Sequence, residues 1–296
     1  MHSKVVVQLG GGIGNQLFQY YAGQLLAQKL NKRLSLDDSS LRWEYANILR
    51  KELGLPQSGL RSVVPEYFPK VKIQNKTIHT FRKILRKIFT LLGFYVEFNF
   101  YGEVDSTLSL LNLSENNTKR TIILKGNLQS HTIVEKALQL GAREIKPFEP
   151  AQIFDNDKKP IIVHIRLTDY VVENLDLMIP PEYYKLGLGL AVKDYPDRAI
   201  WLFSDDPESA LAYFPNQFRD KLEFVNDPKK NSDWDELQLM SVGCAYVIPN
   251  STFGFWAASL SKASLVICPS PWFKSSPSTK DNTYFDFPSH WTQLDW

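Results

Sequence analysis

Residues 159 to 172, KPIIVHIRLTDYVV, constrain this chain more than any other stretch. Ile161, Ile162, Val163 and Ile165 make a β-branched run of strand length, interrupted by His164 and Arg166 two residues apart. In a strand of period two those polar side chains share a face and leave the sheet near its carboxyl edge, where α/β proteins bind ligands. Arg166 is therefore expected at the mouth of a cleft. Its guanidinium is always charged and presents a fork of donors matched to phosphate oxygens, so a pyrophosphate suits it. A buried structural arginine paired with a carboxylate such as Asp169 is the competing reading of the same residues.

A chain of 296 residues exceeds the usual single domain of about 100–200 residues, which favours two domains. The net charge of +2, from 34 basic and 32 acidic residues, gives no case for nucleic acid as a partner. The aromatic share of 13% is high and suits sugars, which stack on aromatic faces. Cys244 and Cys268 sit in apolar surroundings and read as buried thiols rather than a disulfide or metal pair. Residues 1 to 9 lead straight into a strand without a secretion signal. No run reaches the ~18 apolar residues of a membrane span, so a cytoplasmic chain is expected. The Asn-x-Ser/Thr sites at Asn75, Asn112, Asn116 and Asn250 are then expected to stay unglycosylated.

Lys4 to Leu9 reads as a strand running into Gly10, Gly11, Gly12, Ile13 and Gly14. Asn15 and Gln16 then open a helix with Leu17, Tyr21, Leu25 and Leu26 on one stripe. A glycine turn between strand and helix lets a ligand approach the backbone and aims amide N–H groups at anions or sugar hydroxyls. Asp37 and Asp38, ending a second strand, give this turn the look of a dinucleotide loop. The third glycine of that motif is missing, because Asn15 or Leu17 stands in its place depending on register. Residues 80 to 92, TFRKILRKIFTLL, are an amphipathic helix candidate. It reads first as a helix packed on a core with a solvated basic face, and second as a weak peripheral contact with the inner face of an anionic membrane. Ile122 to Leu124 is a further strand, followed by a helix over Thr132 to Leu140. Pro147, Pro150 and Pro160 place a boundary within residues 146 to 160, dividing the chain into domains 1–150 and 151–296.

The second half alternates more regularly. Pro180 leads a helix to about Lys193, and Ala199 to Phe203 is a strand ending in Ser204-Asp205-Asp206-Pro207-Glu208. Phe224-Val225 is a short strand, Asp235 to Val242 a helix, and Ala245 to Pro249 a strand. Asn250-Ser251-Thr252-Phe253 turns into a helix over Gly254 to Leu260, and Leu265 to Cys268 is expected to be the last strand. This order predicts a parallel, doubly wound sheet. The polar clusters HIRLTD, SDDPE and NST sit at strand carboxyl ends and should converge on one edge.

Four blocks then carry a resemblance. GGGIGNQLFQYYAGQLLA, VHIRLTDY, FSDDPE and ELQLMSVGCAYVIPNSTFGFWAASL, in that order, resemble the signature elements of the α-1,2-fucosyltransferases of glycosyltransferase family 11. The resemblance spans residues 10 to 260. It implies a GT-B fold, with two Rossmann-like α/β domains facing each other across a cleft. Domain 1–150 would be the acceptor side with the glycine loop, and domain 151–296 would bind GDP-fucose. It further implies transfer of L-fucose from GDP-β-L-fucose to the 2-hydroxyl of a galactose-terminated oligosaccharide, with inversion, no metal and no cofactor. Two positions depart from the pattern. Leu167 replaces the second arginine of the usual pair, and Phe255 stands where a tryptophan is common, a change expected to affect packing only.

The resemblance assigns Arg166 to the pyrophosphate, His164 to the guanine side and Glu236 to the guanine N–H groups. A carboxylate takes two such donors at once. Ser251 and Thr252, with neighbours Asn250 and Phe253, would hold the β-phosphate at a helix amino terminus, although helix capping explains the same hydroxyls. Asn15 and Gln16 would come from the glycine loop. Ser204, Asp205 and Asp206 belong to the donor side, where each aspartate either caps the next helix or orients Arg166. Inverting displacement of GDP passes through an oxocarbenium-like state while charge grows on the leaving phosphate. Asp169 and Glu173 are the candidate bases for the acceptor hydroxyl.

Three other functions compete. An NAD(P)-type oxidoreductase fails at the missing glycine. A metal-dependent GT-A-type glycosyltransferase would need Asp155-x-Asp157 or Asp233-x-Asp235 as ligands, and such spacing is common in polar stretches. A non-catalytic sugar-binding module explains the aromatics but not three phosphate-type loops on strand ends.

Overall fold

The computed structural model describes residues 4–38, 41, 95–100, 121–139, 158–168, 177–225, 232–261, 263–272 and 285–296. The chain divides into two compact units, Met1–Glu144 and Ile145–Trp296. Each is α/β, and every strand pairing among the described residues is parallel. The chain thus has the two Rossmann-like units of the expected fold class.

The first unit contains β1 (Lys4–Gln8), α1 (Ile13–Lys29), β2 (Arg33–Asp37), β3 (Tyr95–Phe100), β4 (Thr121–Gly126) and α2 (His131–Gln139). Its four-stranded sheet has the order β2-β1-β4-β3. Val5, Val6 and Val7 on β1 and Ile122, Ile123 and Leu124 on β4 are buried, as expected where helices cover a parallel sheet. The chain leaves β1 for one neighbour and returns to the other side at β4, so a topological switch point lies between these two strands. The basic candidate at residues 80 to 92 lies outside the described residues. Among the described residues no helix is long and apolar enough to cross a membrane.

The second unit runs β5 (Ile161–Ile165), α3 (Pro181–Asp194), β6 (Ile200–Ser204), α4 (Pro207–Leu211), α5 (Asn216–Arg219) and β7 (Leu222–Phe224). It continues with α6 (Asp233–Met240), β8 (Ala245–Val247), α7 (Thr252–Ser261), β9 (Leu265–Ser270) and β10 (Thr292–Asp295). The six-stranded sheet has the order β10-β9-β8-β5-β6-β7. Read from its far edge this is the doubly wound order, with the switch point between β5 and β8. β9 is not the last strand, contrary to the sequence reading. The segment TQLD pairs with β9 through Thr292 and Ile267. It is short, polar and only half-buried on alternate residues, so it carries no hydrophobic signal of its own.

Packing against the sheet explains the helices. α3 starts on a proline at its first turn and buries Tyr183, Tyr184, Gly187, Leu188 and Ala191 on one face. The Tyr183 hydroxyl donates to the Ile248 carbonyl at 2.6 Å, and the Ile267 carbonyl lies 3.1 Å from it. That ties the residue after β8 to the middle of β9. Behind them, Trp272 stacks on Phe285 at 4.6 Å, and Phe255 lies edge-on to Phe285 at 5.3 Å. Phe255 is fully buried in this aromatic cluster, so the change from tryptophan is a matter of packing. Cys268 is buried and Cys244 half-buried, and both are free thiols.

Candidate functional site

Register brings the motif residues together. Ile165 on β5 sits opposite Ser204 on β6, so the next residues on each strand, Arg166 and Asp205, emerge side by side. The Arg166 Nε lies 3.3 Å from an Asp205 carboxylate oxygen. The same carboxylate accepts from the Leu167 amide at 2.8 Å, from the Thr168 amide at 3.1 Å and from the Thr168 hydroxyl. One aspartate therefore fixes both the arginine and the backbone that carries it. Arg166 keeps about a third of its side chain open, at 32%, so it remains able to meet an anion.

On the other flank, β5 pairs with β8 through Val163 and Val247, which places the turn after β8 next to His164. α7 begins at Thr252, two residues earlier than its sequence suggested, so Ser251 occupies the position before the first turn. Ser251, Thr252 and Phe253 are half-buried there. The first amide N–H groups of a helix lack intrahelical acceptors and favour an anion. His164 is 5% exposed, with its ring 5.9 Å from that of Phe253. A Cβ at Gly254 would come within 2.8 Å of the His164 Nδ1, so glycine is what lets α7 approach the imidazole. Burial pushes the His164 pKa down to about 3, with the Arg166 charge adding to the shift and Asp205 opposing it. The imidazole is neutral, and Arg166 supplies the positive charge of this motif.

Other expected site residues also bond to the framework. Asp206 caps α4, accepting from the Ser209 amide at 3.1 Å, so the two aspartates divide the roles of cap and orienter. Ser204 is 4% exposed and accepts from the Asp206 amide at 3.1 Å, which braces the turn after β6. Asn250 is 3% exposed and its Nδ2 donates to the Leu177 carbonyl at 3.1 Å, tying the end of β8 to the segment before α3. Leu167 is 5% exposed and joins the core cluster with Ile165, Ile179 and Tyr183. The position of the missing second arginine thus faces the core in this chain. Asp169 and Glu173, the candidate bases, lie outside the described residues.

α6 contributes the acidic side. Asp235 closes a capping box with Ser232 and is exposed, whereas Asp233 and Glu236 are half-buried. The Oε1 of Glu236 is withdrawn from solvent. Asp233 interacts electrostatically with Arg166. The sequence reading treated Asp233 only as half of a metal motif. The i, i+3 spacing of Asp233 and Glu236 was the signal that both share a face. Asp155 and Asp157 lie outside the described residues, and among those described no three His, Cys, Asp or Glu side chains are grouped as a metal ion would need.

In the first unit the glycine loop is braced by glutamines. Gln19, 3% exposed, accepts from the Gly10 amide at 2.9 Å and donates to the Gly126 carbonyl at 2.9 Å, joining the ends of β1 and β4. Gln16 is also buried and donates to the Gly11 carbonyl at 3.0 Å, which braces the loop. Gly11 has φ +72, and a Cβ there would strike the Asn15 amide at 2.5 Å. Asn15 accepts from Gln129 at 2.8 Å and stays half-buried.

The sequence model described as "Glycosyl transferase family 11" matches residues 126–294, which take in all of the second-unit sheet but the last residue of β10. The chain belongs to glycosyl transferase family 11. It is a glycosyltransferase with a nucleotide-sugar donor. This family 11 chain is 25% identical to an α-1,2-colitosyltransferase of Escherichia coli, over 99% of each chain. It is 26% identical to the O-antigen biosynthesis glycosyltransferase WbnK of Escherichia coli, over 92% of this chain and 96% of that one. Solved structures similar to it include Escherichia coli heptosyltransferase WaaC with ADP, at 12% identity and a TM-score of 0.47 over 99% of this chain and 93% of that one. Another is fucosyltransferase NodZ from Bradyrhizobium, at 13% identity and a TM-score of 0.45 over 88% and 94%.

Proposed function

We propose that this glycosyltransferase moves L-fucose from GDP-β-L-fucose to the 2-hydroxyl of a galactose-terminated oligosaccharide, with inversion and without metal. The observation that carries the reading is Arg166, held by Asp205 at the switch point beside the amino terminus of α7. This arrangement suits a diphosphate leaving group, and the motif resemblance supplies fucose and the α-1,2 linkage. As the anomeric bond breaks, charge grows on the β-phosphate, where a preorganised guanidinium and helix amides stabilise it most. The proton of the acceptor hydroxyl leaves to a base, for which Asp169 and Glu173 remain the candidates. The test is a donor panel incubated with several galactosides and read by mass spectrometry, with the linkage assigned by NMR. Because a relative is named a colitosyltransferase, the panel includes nucleotide-activated colitose. Turnover of another nucleotide sugar, with GDP-fucose left untouched, would overturn the fucose reading.

Two expectations follow from these groups. Transfer should survive excess EDTA, because Arg166 and helix amides take the charge that Mg²⁺ handles elsewhere. Loss of transfer in EDTA, restored by Mn²⁺ or Mg²⁺, would contradict it. Glu236→Gln should weaken GDP binding by roughly 1–3 kcal/mol, since an amide NH₂ then faces guanine's own donors. The acceptor KM should hardly change. Calorimetry giving wild-type GDP affinity in this variant would return Glu236 to a structural role.

A further inference from the structure

The imidazole of His164 is buried without an answer inside the fold. It is 5% exposed, and its Nδ1 is withdrawn from solvent with no hydrogen-bond partner among the described residues. What bears on its proton is burial and the nearby charges of Arg166 and Asp205. The ring meets the start of α7, a ten-residue helix, in two places. The ring of Phe253 lies 5.9 Å away, and a Cβ at Gly254 would stand 2.8 Å from Nδ1. Nδ1 therefore faces a Cα–H of Gly254, which offers a nitrogen lone pair a weak contact and offers an N–H nothing to bind. A neutral imidazole has one donor and one acceptor, so the ring proton belongs on Nε2, the nitrogen that is not sealed off.

The helix start beside it is a place for an anion. The Ser251 carbonyl accepts from the Phe255 amide at 3.0 Å, so the amides of Thr252, Phe253 and Gly254 precede the first intrahelical bond. Such amides favour negative charge. His164 on β5 and Arg166 just beyond it share one face of the strand, and Arg166 keeps about a third of its side chain open there. A group lying against the α7 start thus meets helix amides, the imidazole Nε2–H and a guanidinium, and a diphosphate answers them because its oxygens only accept. We infer that the diphosphate of the donor sits against the amino terminus of α7 and accepts a hydrogen bond from the Nε2–H of His164. That moves His164 to the phosphate side of the nucleotide, away from the guanine side where the motif resemblance put it. The inference rests on the nucleotide-sugar reading above.

The test is nitrogen-15 NMR of the full chain labelled at its five histidines, with GDP, inorganic pyrophosphate and guanosine added in turn. The His164 signals are those lost in His164→Gln. In the free protein they should show the proton on Nε2. GDP and pyrophosphate should each shift the Nε2–H signal, and guanosine should leave it in place. A pyrophosphate titration that leaves the signal unmoved overturns the inference, as does a guanosine shift equal to that of GDP or a proton found on Nδ1. Calorimetry adds the energetic arm. His164→Leu should weaken GDP and pyrophosphate alike by about tenfold, the worth of a hydrogen bond to a charged group, and His164→Gln, which keeps an N–H near the Nε2 position, should recover most of that loss. Wild-type GDP affinity in a folded His164→Leu protein overturns the inference, and where that variant does not fold the wild-type spectra decide. The two readings fail separately. GDP bound no more tightly than pyrophosphate, with the Nε2 shift retained, removes the nucleotide and leaves the phosphate site standing. GDP bound without the shift removes the inference alone, and binding of neither removes both.

Discussion

Arg166→Ala is expected to lower fucosyl transfer by about 10²–10³ in turnover, the usual loss when a group that stabilises developing charge is removed. Donor affinity should fall less than turnover, because the charge on the leaving phosphate peaks in the transition state. The local backbone offers no substitute. The neighbouring side chain, Leu167, belongs to the hydrophobic core, and the neighbouring imidazole, His164, is neutral. Arg166→Lys should recover little, since an ammonium is a point charge without the planar fork that meets two oxygens at once. The fold should tolerate the change, because Asp205 keeps the amides of Leu167 and Thr168 and the Thr168 hydroxyl after the guanidinium is gone. Turnover and melting temperature measured together decide the matter. A well-folded Arg166→Ala protein retaining more than about a tenth of wild-type turnover would contradict the assignment, given the losses typical of such groups.

Asp205→Ala should be nearly as damaging by a different route. Arg166 then loses the carboxylate 3.3 Å from its Nε, and the turn after β5 loses an acceptor for two amides and a hydroxyl. A displacement of the guanidinium of the order of an ångström is enough to cost about 10²-fold in rate. The part-buried Leu167 amide left without its acceptor should also destabilise the protein by about 1 kcal/mol. Asp205→Asn separates the two effects. Its carbonyl oxygen accepts from one amide, but its NH₂ cannot accept from Thr168 or Arg166, so stability should recover more than turnover. Turnover within about threefold of wild type in Asp205→Ala, against the ~10²-fold cost of misplacing such a group, would show that Arg166 is oriented by something else.

Much of the donor side was legible in the sequence because it is written in short local patterns. The β-branched run around His164 and Arg166, the polar ends of β6 and β8, and the glycine loop after β1 each announce a strand end that carries chemistry. Period-two alternation and turn residues depend on neighbours a few positions away, and they hold whatever the remainder of the chain does. Strand β10 was not legible, because its four residues are an edge strand defined only by pairing with β9.

What only the tertiary structure decided was the division of labour among residues of the same type. Asp205 and Asp206 are adjacent in sequence, yet strand register aims one at Arg166 and helix capping takes the other. Gln16, Ser204 and Asn250 look like ligand residues by motif, and in the fold each also bonds to nearby backbone through one polar atom. Asp233 looked like half of a metal motif, and in the fold it is half-buried and feels the charge of Arg166. The physical reason is common to all of these. A side chain's chemistry is local, but its partner is chosen by contacts far apart in sequence, and those exist only once the parallel strands have taken their order.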